Sequence, residues 1–196
     1  MRTIMIMTFA TFAVAGLSIS AAAQNKAQPP ELTIHIRDYC DPASFNAALG
    51  TGTCSRDTST GAITFMGFLT ELSMDKSVGA WRFAPSQSPA AEGATLNLQS
   101  LGGETHTFTR VKRFGGGFVA PLNGASGTPT PAPECAQMVN GNLVPQPPSP
   151  DNIFIPAGAS ASMTLKLGET ARFQCCIHPW MHLTITPRDE HHANLQ

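Results

Sequence analysis

At 196 residues the chain has room for one domain, or for one domain carrying a long insertion. Only 13 % of residues are charged and the formal net charge is −1, which excludes a strongly basic nucleic-acid binder and a highly charged disordered chain. Seventeen glycines and sixteen prolines mark a loop-rich chain and argue against a helical bundle.

Residues 1–23 read as an export signal. Arg2 supplies a positive start, Thr3 to Ser20 is uncharged and mostly apolar, and Ala21-Ala22-Ala23 offers the small residues of a cleavage site. No later apolar stretch is long enough to span a bilayer, so a periplasmic or secreted chain starting near Gln24 is expected. Leu32, Ile34 and Ile36 then alternate with Thr33, His35 and Arg37, the pattern of a half-buried strand over 31–39. A short loop between Cys40 and Cys54 and a polar stretch to Thr60 follow. Apolar residues from Ile63 to Met74 fall at the spacing of a short amphipathic helix. Strands are expected at 81–85, where Trp81 and Phe83 read as core, and over 93–100 and 105–111, the last two separated by a Gly102-Gly103 turn. Residues 115–150 read as one Gly/Pro-rich loop, and a structureless loop of that length marks function or disorder. Alternation resumes over 160–167, and strands at 171–175 and 183–186 precede a polar tail, 188–196. Many short strands with turn signals predict an all-β sandwich or barrel.

The five cysteines are read in an oxidising compartment. Five is odd, so at least one thiol is free or bound to something else. Cys40 and Cys54 are placed to bridge. Cys135 can pair with Cys175, with Cys176 or with neither.

Residues 173–182 carry the chemistry: Phe-Gln-Cys175-Cys176-Ile-His178-Pro179-Trp180-Met181-His182. A thiolate, an imidazole and a thioether at C-x-x-H-x-x-M spacing are three ligands of a mononuclear blue-copper centre. Chain order points to His106, just past the Gly-Gly turn, for the missing imidazole. Cu(I) favours soft sulfur and Cu(II) favours nitrogen, and a fixed His₂Cys set with a weak axial Met suits both. Strand parity puts Cys175 on the face of Phe173, the core, and Cys176 on the opposite face. Cys175 is therefore the expected ligand, and Cys176 is left to bridge Cys135. A bond between Cys175 and Cys176 is the alternative, and it would abolish the site.

Phe-x-Cys-x-x-His-Pro-x-Met after a Gly turn and a strand resembles the copper loop of the cupredoxins, most nearly the amicyanin-like and other short-loop, plastocyanin-related members. Residues 31–39 and 81–111, then 154–187, follow the family's order. The resemblance implies a Greek-key, cupredoxin-like β-sandwich with a short helical insertion, the domain filling 24–187. It implies one type 1 copper near one end of the sandwich, with His106, Cys175, His178 and Met181 as ligands. In the family the C-terminal histidine is typically exposed and passes electrons; here that is His178, with Pro179 and Trp180 as an apolar electron-transfer patch. Insertions over 40–80 and 112–152 and the vicinal cysteines depart from the small members, and the insertions could cover the copper end.

The function expected is one-electron transfer to an unidentified redox partner protein by a monomer, without enzymatic activity and without nucleic acid. Copper handling in the envelope is the alternative, using Met66, Met138 or the tail histidines, although no Met-rich cluster follows the signal. A multicopper enzyme would need His-x-His ligands, which the chain lacks. The run 115–117 has no phosphate-cradle pattern, Asp38, Asp41 and Asp57 have no calcium-loop spacing, and no G-x-S-x-G occurs. His182 is expected to face solvent, His191 and His192 to lie in a solvated tail, and His35 to occupy a surface strand position.

Overall fold

A computed structural model describes residues 30–56 and 61–188. The expected signal at 1–23, Asp57 and the tail beyond Arg188, with His191 and His192, lie outside the described residues. Among the described residues no helix is long and apolar enough to cross a membrane.

Two sheets face each other. The first has the order β2-β1-β4-β9, formed by β1 (Glu31–Arg37), β2 (Arg82–Ala84), β4 (Thr95–Ser100) and β9 (Ser160–Thr164). The second has the order β3-β11-β10-β5-β8, formed by β3 (Gln87–Ala90), β5 (His106–Val111), β8 (Asn152–Ile155), β10 (Ala171–Gln174) and β11 (His182–Pro187). β2 and β3 are consecutive but belong to different sheets, so the chain changes layer between Ala84 and Gln87. The alternation read in the sequence becomes inward-facing Ile34, Ile36, Leu96, Leu98, Phe108, Phe173, Leu183 and Ile185, all sealed in one core.

The insertion between β1 and β2 is more ordered than expected. The interval between Cys40 and Cys54, read as a loop, holds α1 (Pro42–Leu49). Asp41 caps it by accepting from the Ser44 N–H at 2.8 Å, and Pro42 sits at its start, where its missing N–H costs nothing. The helix expected from Ile63 to Met74 is α2 (Phe65–Asp75), capped by the Thr64 side chain on the Gly67 N–H. Phe45, Phe68 and Trp81 meet at centroid distances of 4.9–5.7 Å, so both helices pack on the end of the sandwich through one aromatic cluster.

The second excursion also corrects the expectation of a structureless loop. It contains α3 (Ala120–Ala125) and a hairpin of β6 (Ala136–Val139) and β7 (Asn142–Pro145). The hairpin turns on Asn140-Gly141, both with positive φ, as a two-residue connection requires. The excursion covers the outer face of the second sheet. There Val111, Ala132, Cys135 and Cys176 form a second apolar cluster with Phe114 and Phe118. β3 was not expected either; its four residues, Gln-Ser-Pro-Ala, lack an apolar alternation and are held by parallel pairing with β11.

Candidate metal centre

The ladder of the second sheet assembles the centre. β5 and β10 run antiparallel, with Gln174 opposite Thr109, so the start of β5 lies beside the end of β10. His106 opens β5, and Cys175 follows β10 directly. On the other side of β10, Gln174 pairs with His182. The Cys175 N–H then donates to the Met181 carbonyl at 3.1 Å, which extends that pairing by one step. Residues 175–181 therefore close as a tight loop between two paired strands, and a bond from the Met181 N–H to the His178 carbonyl (3.0 Å) pins its middle.

Three donors converge. Nδ1 of His106 and Nδ1 of His178 each lie 3.8 Å from Cys175 Sγ, and the donor atoms of the three residues all lie within 4.8 Å of one another. All three side chains are buried, and Met181 is buried in the same core. The Cys175 sulfur also accepts the N–H groups of Thr107 and His178, both at 3.4 Å. Burial pushes the Cys175 thiol up, but hydrogen bonds and charge from His106 and His178 outweigh it and hold it well below the ordinary value. Burial likewise opposes a charged His106. Its bond to Asp38 and its contact with Cys175 prevail and raise it to about 10. These contacts favour the thiolate, the form that binds metal.

Each imidazole presents Nδ1 to the sulfur and turns its other nitrogen toward a carboxylate. Asp38 Oδ2 lies 2.8 Å from His106 Nε2. Asp38 also accepts the N–H groups of Gly103 (2.8 Å) and Glu104 (3.1 Å). Burial disfavours its charge, but the His106 bond and these donors keep its carboxyl below the usual value. Glu104 Oε2 lies 3.5 Å from His178 Nε2 and accepts the indole N–H of Trp81. Burial raises the Glu104 carboxyl above its ordinary value despite His178 and Trp81. The Gly102-Gly103 turn is required by this arrangement. A Cβ at residue 102 would collide with the Asp38 carboxylate, and one at residue 103 would lie 2.5 Å from Cys40 Sγ.

The cysteines divide as strand parity predicts. Cys175 is a buried free thiol, while Cys40 bridges Cys54 and Cys135 bridges Cys176. The expected exposure of His178 is not found: it is 3 % exposed. Phe68 from α2, Trp81 and Trp180 surround it at ring distances of 6.5, 6.4 and 5.5 Å. Pro179 is buried and Trp180 half-buried, because the first insertion lies over this loop. His182 is half-buried beneath Phe114, centroids 3.8 Å apart, rather than solvent-facing. His35 is half-buried on its strand, and Trp81 and Phe83 are core as expected. Asp38, Glu104, Trp81 and Phe68 were not read as parts of a site. Only the two-residue step from Glu104 to His106 hinted at a shared turn.

A buried cysteine sulfur with two imidazole nitrogens, on a loop that also buries Met181, is chemically apt for a copper ion. Protein-family models give no match to this chain, and neither do curated proteins. Among solved structures it is similar to a purple cupredoxin from Nitrosopumilus maritimus, at 12 % identity over 80 % of this chain and 98 % of that one, TM-score 0.37. It is also similar to plastocyanin from Dryopteris crassirhizoma, at 14 % identity over 80 % and 100 % of the two chains, TM-score 0.35. Auracyanin from Roseiflexus castenholzii shows 16 % identity over 55 % and 88 %, TM-score 0.30. Likenesses this distant carry no argument for function, which rests on the residues themselves. The architecture is an all-β sandwich of two sheets with short helices.

Proposed function

We propose that the protein is an exported, mononuclear type 1 copper protein that carries single electrons to a redox partner protein. The observation that carries this reading is the convergence of His106 Nδ1, His178 Nδ1 and the Cys175 sulfur inside a sealed core. His106, Cys175 and His178 would hold the ion, with Met181 as the weak fourth ligand. Bound copper supplies a reversible Cu(II)/Cu(I) couple. The chain's own part is to keep the donors still. His106 is fixed by its bond to Asp38, His178 by the rings of Phe68, Trp81 and Trp180 around it, and Cys175 by two backbone N–H groups, so little rearrangement accompanies a change of charge. The aromatic cluster of α2 excludes water from His178.

Spectroelectrochemistry of the copper-loaded protein tests the reading. A carrier gives a reversible one-electron wave and returns to its starting spectrum over many cycles. Irreversible loss of copper on reduction contradicts it. Copper storage or delivery is a second reading, favoured by one observation: the first insertion leaves His178 without the bare surface at which a redox partner would dock. It predicts that reduced copper passes readily to a competing chelator, whereas the carrier reading predicts slow loss.

A further inference from the structure

We propose that Glu104 is a positioning residue that holds His178 and, by its charge, lowers the reduction potential of the centre; this rests on the copper reading above. Glu104 is 6 % exposed, and a carboxylate that deeply buried needs partners. It has two of note, the indole N–H of Trp81 and Nε2 of His178, and both meet the same oxygen, Oε2. Both contacts draw on the charge of one oxygen, so the indole N–H that sits on it weakens the field that reaches His178. Trp81 is itself 1 % exposed, stacked on Phe45 at 5.7 Å and edge-on to Phe68 at 4.9 Å, so the indole cannot swing away. The carboxylate is fixed from its backbone as well, since the Glu104 N–H donates to Asp38, the residue that holds the other histidine. One continuous strut thus runs His106–Asp38–Glu104–His178, with Trp81 as its side brace.

A negative group on the far nitrogen of an imidazole makes the near nitrogen a better donor, and this favours the more highly charged metal state. Removing that charge weakens Cu(II) binding relative to Cu(I), and weakening its competing donor does the reverse. A residue that merely fills space or braces Trp81 does neither. The variants Glu104→Gln, Glu104→Asp and Trp81→Phe, each loaded with copper, separate these roles through their potentials and their visible and EPR spectra. Glu104→Gln keeps an acceptor for Trp81, and its potential is expected to rise by at least a tenfold change in the ratio of Cu(II) to Cu(I) affinity, about 59 mV for one electron. Glu104→Asp, which retains the charge, is expected to recover most of that change. Trp81→Phe frees the carboxylate for His178 and is expected to lower the potential, a shift of opposite sign that remains decisive if Glu104→Gln does not fold. Potentials in Glu104→Gln or Trp81→Phe that stay within twofold of wild type, on that same ratio, overturn the role of Glu104 alone, provided the wild type shows its copper–thiolate band. Absence of that band in the wild type overturns the copper reading, and the role of Glu104 with it.

Discussion

Cys175 and Cys176 are neighbours in the chain, yet their side chains lie in different cores. Alternation along β10 sends Cys175 inward with Phe173 and Cys176 outward, where it is tied to Cys135 under the second excursion. That division was legible because period-two alternation is local. The partners of the histidines were not. Asp38 lies 68 residues before His106, and nothing in its neighbourhood marks it as different from Asp41. Glycines record the same long-range demands. A Cβ on Gly117 would run into the backbone carbonyl of Cys176, and the Gly117 N–H is already bound to the Asn123 side chain at 2.7 Å. Gly117→Ala is therefore expected to cost about 3 kcal/mol, the upper part of the overpacking range, because backbone must move against backbone. Chemical denaturation checks this. A midpoint equal to wild type would show that the excursion does not seat against the metal loop.

At the level of elements, strong apolar alternation marked β1, β4, β5, β9 and β10, and four of these strands send Ile34, Ile36, Leu96, Leu98, Phe108 and Phe173 into the core. Weak or polar elements escaped. α1 is only eight residues long, although Asp41 followed by Pro42 was a readable start signal. The β6–β7 hairpin carried its Asn-Gly turn in plain sight within a proline-rich stretch. β3 exists through its pairing with β11, which no local pattern announces. α2 was legible as a helix but not as a cover, since periodicity says which face is apolar and not what that face touches. Its inward Phe68 contacts Trp81, Trp180 and His178. Phe68→Ala should cost about 3–5 kcal/mol, as large aromatic truncations in a core do, and should speed the removal of copper by a chelator. Thermal unfolding and stopped-flow chelation read the two effects separately. Unchanged chelation kinetics in a destabilised variant would mean that α2 supports the fold without gating His178.

Across the whole molecule, two insertions do two different jobs on one sandwich. The first closes the end of the domain over His178 through aromatic residues. The second clads the outer face of β10 and is fastened by the Cys135–Cys176 bridge and by Gln174, whose amide exchanges hydrogen bonds with Gly115. That bridge closes a loop spanning 41 residues, worth about 4 kcal/mol on the chain-entropy account. The Cys135→Ala/Cys176→Ala double variant is expected to lose about that much stability without losing Cu(II) binding, because Cys175 points the other way. Loss of copper binding in a double variant that still folds would show that the bridge also shapes the site. On the carrier reading proposed above, a partner protein would meet the covering helix rather than a bare histidine, and its docking surface is expected on the first insertion. The copper reading stands or falls on Cys175. Optical titration of the protein with Cu(II), beside Cys175→Ser, tests it most directly. An intense visible band that saturates at one equivalent and is absent from the serine variant is expected. Identical colourless titrations of the two proteins would contradict it.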